Sequence, residues 1–150
     1  EWRLNTSTGE VKERTLADTP CDFTRVNDDY ACHPTRYIYA AVFSPTRPFT
    51  FDGVMKYDNA DGTTAEYAFG PQRHGGEAVF APRDGCSSED DGYLICFVHD
   101  EAEQQSECLI IDARQVAAGP VARIVMPFRV PYGFHAGWVS AGDLVDRASI

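Results

Sequence analysis

The sequence predicts an all-β protein. Apolar and polar residues alternate in short segments, turn residues separate these segments, and apolar residues at helical spacing are hard to find. Short strands with a turn about every eight to twelve residues are typical of a β-sandwich, a β-barrel or the blades of a β-propeller. The predicted strands cover residues 2–5, 11–16, 36–43, 53–57, 63–69, 77–82, 93–99, 107–111, 121–126 and 135–139.

The segments between strands predict antiparallel hairpins. Residues 6–9 separate the first two strands, and residues 58–62 separate the fourth and fifth, the second connection ending in a glycine that can adopt a positive φ. The apolar run 93–98 lacks clean alternation, as in a strand covered on both faces. Only residues 112–117 suggest a helix, of one or two turns. Ten strands would make about two and a half four-stranded blades, so most of a propeller ring would lie outside this chain.

Length and charge narrow the class of protein. A chain of 150 residues is long enough for one domain with a sizeable core. The net charge of -10, from 23 acidic and 13 basic residues, argues against a nucleic-acid partner, which would require a basic surface. No apolar run approaches the roughly 18 residues of a membrane-spanning helix. The chain begins at Glu1 without a recognisable signal peptide, and we expect it to be a piece of a longer protein.

The cysteines indicate a reducing compartment. Five cysteines, an odd number without a C-x-x-C pair, match neither a zinc site nor a disulfide framework. The acidic turn 89–92 lacks the alternating pattern of a calcium loop and is interpreted as a solvated turn. The cysteine pattern favours a cytoplasmic protein with free thiols.

Four histidines are available as metal ligands, and none lies in H-E-x-x-H or another local metal motif. His33 and His74 fall in predicted loops and are expected to be exposed, and His99 ends a strand. His135 differs because glycines and a proline bracket it where a loop meets a predicted strand. From these residues alone, His135 is either a structural histidine or a metal ligand.

Six blocks, in sequence order, carry a more specific signal. The last of them, residues 129–139, reads RVPYGFHAGWV. The other blocks are residues 21–27, 34–37, 75–83, 89–94 and 109–114. Together they resemble the carotenoid cleavage oxygenases, the family that includes lignostilbene dioxygenases and the retinoid isomerase of the retinal pigment epithelium.

The resemblance implies a fold and an iron site. It implies that residues 1–150 are the C-terminal blades of a seven-bladed β-propeller, a single domain whose upstream blades are missing here. It also implies iron(II), Fe²⁺, held by four histidines, three of which are fixed by carboxylates. By resemblance His135 is the last iron ligand, and Glu77 and Asp22 are two of the carboxylates behind the ligands. Thr24 replaces the family's usual proline, and Asp22 is shorter than its usual glutamate.

The implied activity is oxidative cleavage of a conjugated carbon–carbon double bond in a carotenoid, an apocarotenoid or a stilbene, with dioxygen as co-substrate. Two alternatives stay open at this point: a retinoid isomerohydrolase using the same iron site, and a non-catalytic β-rich binding module in which His135 is structural. Tyr132, Phe134 and Trp138 either line an apolar substrate passage or pack between blades. The resemblance also permits a plastid location or peripheral membrane contact through the missing part of the chain.

Overall fold

The computed structural model describes residues 1–147. Its strands are β1 (Trp2–Leu4), β2 (Val11–Glu13), β3 (Cys21–Arg25), β4 (Tyr37–Phe43), β5 (Phe51–Asp58), β6 (Thr64–Ala68), β7 (Arg73–Gly75), β8 (Val79–Pro82), β9 (Gly92–Asp100), β10 (Gln105–Asp112) and β11 (Pro120–Val125). The helices are two 3-10 turns, Asp28–Tyr30 and Val116–Ala118, and one short α-helix, α1 (Ala141–Arg147).

Two four-stranded antiparallel meanders make up the body of the fold. In the first meander β3, β4, β5 and β6 pair in chain order, and in the second β8, β9, β10 and β11 do the same. Strand β7 bonds to both β5 and β9 and joins the two meanders into one nine-stranded sheet. A four-stranded meander is the unit of a propeller blade, so the predicted all-β class built from blades is confirmed.

Both predicted hairpins form. Strands β1 and β2 pair antiparallel as a separate two-stranded sheet, and their turn contains Gly9 at φ 77°. The turn between β5 and β6 contains Gly62 at φ 75°. These two glycines occupy the left-handed conformation that other residues adopt only with strain.

Side chains of β4, β5, β9 and β10 form the centre of the apolar core. Leu94 on β9 and Leu109 on β10 are fully buried, and Tyr39 and Val54 of the first meander belong to the same apolar cluster. Leu109 and Cys96 are register partners, which places this apolar stripe on one face of the β9–β10 pair. Within the described residues, no helix is both long and apolar enough to cross a membrane.

The prediction of a strand at residues 135–139 is wrong. This segment is irregular and pairs with no strand of residues 1–147. Its alternating apolar residues suggested a strand with one buried face, but Phe134, Trp138 and Val139 are all exposed. Instead of bonding to a neighbouring strand, the backbone of Ala136 bonds to the side chains of Glu77 and Arg25.

Other boundaries also differ from the prediction. Strands β3 and β7 were not predicted, because Cys21–Arg25 mixes polar and apolar residues and Arg73–Gly75 is only three residues long. The helical turn expected within residues 112–117 is the 3-10 turn Val116–Ala118, followed by Gly119 at φ 80°. The seven-residue helix α1 was not predicted either.

The acidic turn is more than a solvated loop. Asp91 is buried and pairs with Arg83 at 3.0 Å and with Arg114 at 2.9 Å. The carboxylate of Glu89 accepts the backbone N–H groups of Arg36 and Tyr37, each at 2.8 Å. The expectation of a solvated turn is therefore wrong for these two carboxylates. Asp91 pairs with two arginines that closely follow strands of the second meander, and Glu89 connects that meander to the start of β4.

Candidate functional site

Glu77 is a buried carboxylate between β7 and β8, with only 4% of its side chain exposed. Its Oε2 accepts the backbone N–H of Ala136 at 2.6 Å, and its Oε1 lies 3.5 Å from Nε of Arg25. A buried carboxylate is tolerated only when charge and hydrogen bonds compensate its lost hydration. Glu77 meets that condition with contacts that fasten it to β3 and to the segment after β11.

His135 lies directly beside this carboxylate. Its Nδ1 is 3.6 Å from Oε2 of Glu77, while 78% of its side chain is exposed. The other ring nitrogen, Nε2, therefore points away from Glu77. A carboxylate facing one ring nitrogen while the other remains free is the arrangement that orients a metal-binding histidine and raises its basicity.

An aromatic contact holds the ring of His135 from a second side. The ring of Phe23 lies 4.9 Å from it, centroid to centroid, at an interplanar angle of 65°. Strand β3 is irregular here: its register with β4 shifts between Asp22 and Arg25, and Phe23 has a φ of 52°. Such irregularities re-aim side chains. In this case the irregular strand presents Phe23 to His135 and Arg25 to Glu77.

The structure does not bring Asp22 to His135. Asp22 is exposed, and its Oδ1 accepts the backbone N–H of Phe23 at 2.8 Å. In this chain Asp22 therefore supports the irregular conformation of β3. Its role behind a metal ligand stays a prediction that concerns a histidine outside these residues.

At the site, the backbone just before β8 closely approaches the segment that contains His135. A Cβ atom added to Gly76 would lie 2.5 Å from the carbonyl oxygen of Gly133. A Cβ needs well over 3 Å from a backbone oxygen, so only glycine lets the segment before β8 approach this closely. The contact sets Glu77, the next residue, against the segment that contains His135.

The close approach leads to a first testable prediction. Gly76→Ala should push the two segments apart, destabilise the protein by about 1–3 kcal/mol and weaken metal binding through His135. Denaturant unfolding and metal titration would measure the two effects. Gly137→Ala is the matched control, because no atom lies within 4 Å of its added Cβ. Equal behaviour of the two variants would contradict the structural role of this contact.

An apolar cavity of about 160 Å³ opens at the site. Phe97, Val130, Pro131 and Phe134 contribute to its wall, and Glu77 and His135 also line it. Small-molecule sites usually have roughly 300 to 1,000 Å³. The cavity is therefore smaller than a typical ligand site, and the imidazole of His135 is part of its wall.

The other histidines have different environments. His33 is exposed, as predicted, but the expectation that His74 is exposed is wrong, because His74 is buried and its Nδ1 lies 2.6 Å from Oδ1 of Asp52. His99 is also buried, and both of its ring nitrogens have hydrogen-bond partners. No three His, Cys, Asp or Glu side chains form a metal-binding cluster within the described residues.

Sequence reasoning missed the roles of Phe23 and Arg25 at the site. Both belong to the block 21–27, but nothing in that block indicates a contact with residues more than a hundred positions later. Arg25 also donates to the carbonyl oxygen of Ala136 at 3.4 Å, which adds to its ion pair with Glu77. The five cysteines are free, as expected.

The fold consists of propeller blades, and the site consists of a histidine beside a buried carboxylate. These two features indicate a β-propeller protein with a candidate metal site. The profile of the retinal pigment epithelial membrane protein family matches residues 1–140, and the chain belongs to that family.

Several curated and solved relatives are similar to the chain. Carotenoid 9,10(9',10')-cleavage dioxygenase 1 of Pisum sativum is 40% identical over 99% of this chain and 30% of its own length. 9-cis-epoxycarotenoid dioxygenase NCED1, chloroplastic, of Oryza sativa subsp. japonica is 37% identical over 95% of the chain and 23% of its own length. The crystal structure of cobalt-substituted Synechocystis ACO superposes with a TM-score of 0.86 and 27% identity, covering 93% of this chain and 29% of that one. The chain thus spans about 30% of the length of the first of these relatives.

Proposed function

We propose that this chain is the C-terminal part of an iron(II)-dependent dioxygenase that cleaves a conjugated double bond of a carotenoid or apocarotenoid into two carbonyl products. The observation that carries the proposal is the placement of His135, exposed on one side and faced by the buried Glu77 carboxylate at 3.6 Å on the other. The names of the relatives, which are carotenoid cleavage dioxygenases, support the same chemistry.

The residues present fit a ferrous centre. Neutral imidazole suits iron(II), and His135 would supply one of its ligands, with the others coming from outside this chain. Iron(II), when bound, would supply a site at which dioxygen and the double bond meet. A solved relative in a cobalt-substituted form supports a metal centre in this family.

Each residue of this chain would have a separate part in such a site. Glu77 would set the ring direction and the tautomer of His135 through the negative charge that it places 3.6 Å from Nδ1. Arg25 balances the negative charge of Glu77, and the N–H of Ala136 holds the carboxylate in place. Phe23 and Phe134 add apolar surface next to the imidazole, which suits a hydrocarbon substrate and helps to exclude water.

The exposed apolar residues support the proposal that residues 1–150 belong to a larger propeller. Val121, Ile124 and Val125 on the edge strand β11 are exposed, as are Trp2 and Leu4 on β1. Exposed apolar patches next to an open sheet edge usually mark surfaces that another element covers. Further blades of the same protein would cover them.

A labelling experiment tests the activity in the whole protein that contains this chain. After anaerobic loading with iron(II), the protein is supplied with isotopically labelled dioxygen and, separately, with a carotenoid, an apocarotenoid, a stilbene and a retinyl ester. We expect cleavage of the carotenoid or apocarotenoid, with labelled oxygen in both carbonyl products. Conversion of the retinyl ester without oxygen uptake would instead identify an isomerohydrolase. The absence of both bound iron and turnover would identify a binding module.

A further inference from the structure

The segment that carries His135 pairs with no strand in the part of the chain that the structure describes, so other contacts must fix its position. We call residues 129–136 the histidine segment. Its C-terminal end is held by the bond from Ala136 to Glu77, and its middle by the close contact of Gly133 with Gly76. Its N-terminal half is fastened by a different set of residues, from β9, β10 and the turn between them.

A buried hydroxyl makes the first of these attachments. The backbone N–H of Val130 donates to Oγ of Ser106 at 2.9 Å, and Ser106 is only 1% exposed. Nδ1 of His99 lies 3.0 Å from the same oxygen, and Nε of Arg129 donates to Nε2 of His99 at 3.3 Å. Because arginine can only donate, Nε2 of His99 is the acceptor and Nδ1 carries the proton that bonds to Ser106.

Tyr132 makes the second attachment. Its hydroxyl donates to the carboxylate of Glu101, which also receives Nη1 of Arg47 at 3.0 Å. These two bonds lower the pKa of Glu101 to about 2, so the carboxylate is charged throughout the physiological range. The ring of Tyr132 lies edge-on to the rings of His74, at 6.1 Å, and His99, at 6.2 Å.

Cations also face the ring of Tyr132. The guanidinium carbons of Arg47 and Arg129 lie 5.7 Å and 5.4 Å from its centroid, within the range of cation–π contacts. Tyr132 is therefore held by its hydroxyl, its ring edges and its ring face. It lies three positions before His135, and in an irregular segment these attachments take the place of ladder hydrogen bonds.

We propose that Tyr132, through its bond to Glu101, is a positioning residue for His135: it fixes the histidine segment so that the imidazole meets the metal in the correct place. This inference rests on the proposed function, because it concerns the same metal site. It implies that the side chain of Glu101, in the turn between β9 and β10, influences metal binding without touching the metal.

The test uses the whole protein, cobalt(II) as the probe metal, and the variant Tyr132→Phe, which keeps the ring and removes only the hydroxyl. We expect cobalt(II) affinity to fall about 10-fold, the lower end of the loss seen when an outer partner of a metal ligand is removed. The visible spectrum of the bound cobalt(II) should change as well, because the geometry of one ligand changes. Glu101→Gln, which weakens the same bond from the other side, should lower the affinity in the same direction by a smaller factor.

Tyr30→Phe is the matched control, since Tyr30 lies in the first 3-10 turn, remote in sequence from the histidine segment. Melting temperatures of the metal-free variants separate positioning from general stability. If Tyr132→Phe lowers the melting temperature but leaves cobalt(II) affinity and spectrum at the values of the Tyr30→Phe control, the positioning role is overturned.

Comparison with His135→Ala distinguishes a failure of the role of Tyr132 from a failure of the proposed metal site. If His135→Ala loses cobalt(II) binding and Tyr132→Phe does not, the metal site stands and only the role of Tyr132 fails. If neither variant changes cobalt(II) binding, the proposed function itself fails.

Discussion

His135→Ala in the whole protein is expected to remove one metal ligand and abolish double-bond cleavage while the fold persists. The loss of activity should exceed the roughly 100-fold upper range for removal of an outer partner, because a ligand itself is deleted. Since 78% of the side chain is exposed, unfolding stability should change by no more than about 0.5 kcal/mol. Iron content, turnover and denaturant unfolding measure the three quantities.

The control for this variant is His33→Ala, which also removes an exposed imidazole. It should retain iron and activity. Turnover by His135→Ala at the level of this control would return His135 to a structural role and would favour the non-catalytic binding module.

Glu77→Gln is expected to cause intermediate damage. The amide keeps an oxygen to accept the N–H of Ala136, but it removes the charge that faces Nδ1 of His135 and Nε of Arg25. We expect iron affinity or activity to fall about 10- to 100-fold. Iron titration and turnover, measured on the whole protein, would give the size of the effect.

A suitable control for this variant is Glu103→Gln. Glu103 is exposed in the turn between β9 and β10, whereas Glu89, which looks like a surface residue in the sequence, binds two backbone N–H groups at the start of β4. If Glu77→Gln and Glu103→Gln behave alike, the carboxylate does not tune a metal ligand, and the assignment of His135 loses its main support.

Much of the fold was predictable because it depends on local pattern. Alternation with period two indicated most strands, and the glycines at positions 9 and 62 indicated two hairpins. The resemblance of six short blocks pointed to the family and to the pair Glu77 and His135. These assignments depend only on which residue types occupy the motif positions. They require no knowledge of three-dimensional contacts.

The sequence by itself thus determined the all-β class, the hairpins and the residue types at the site. Only the tertiary structure decided that residues 135–139 are irregular, that His74 is buried against Asp52, and that Arg25 reaches both Glu77 and Ala136. The physical reason is that the Arg25 contact joins groups 111 positions apart, and its geometry depends on the register of paired strands and on one irregularity in β3. Local periodicity does not contain that information.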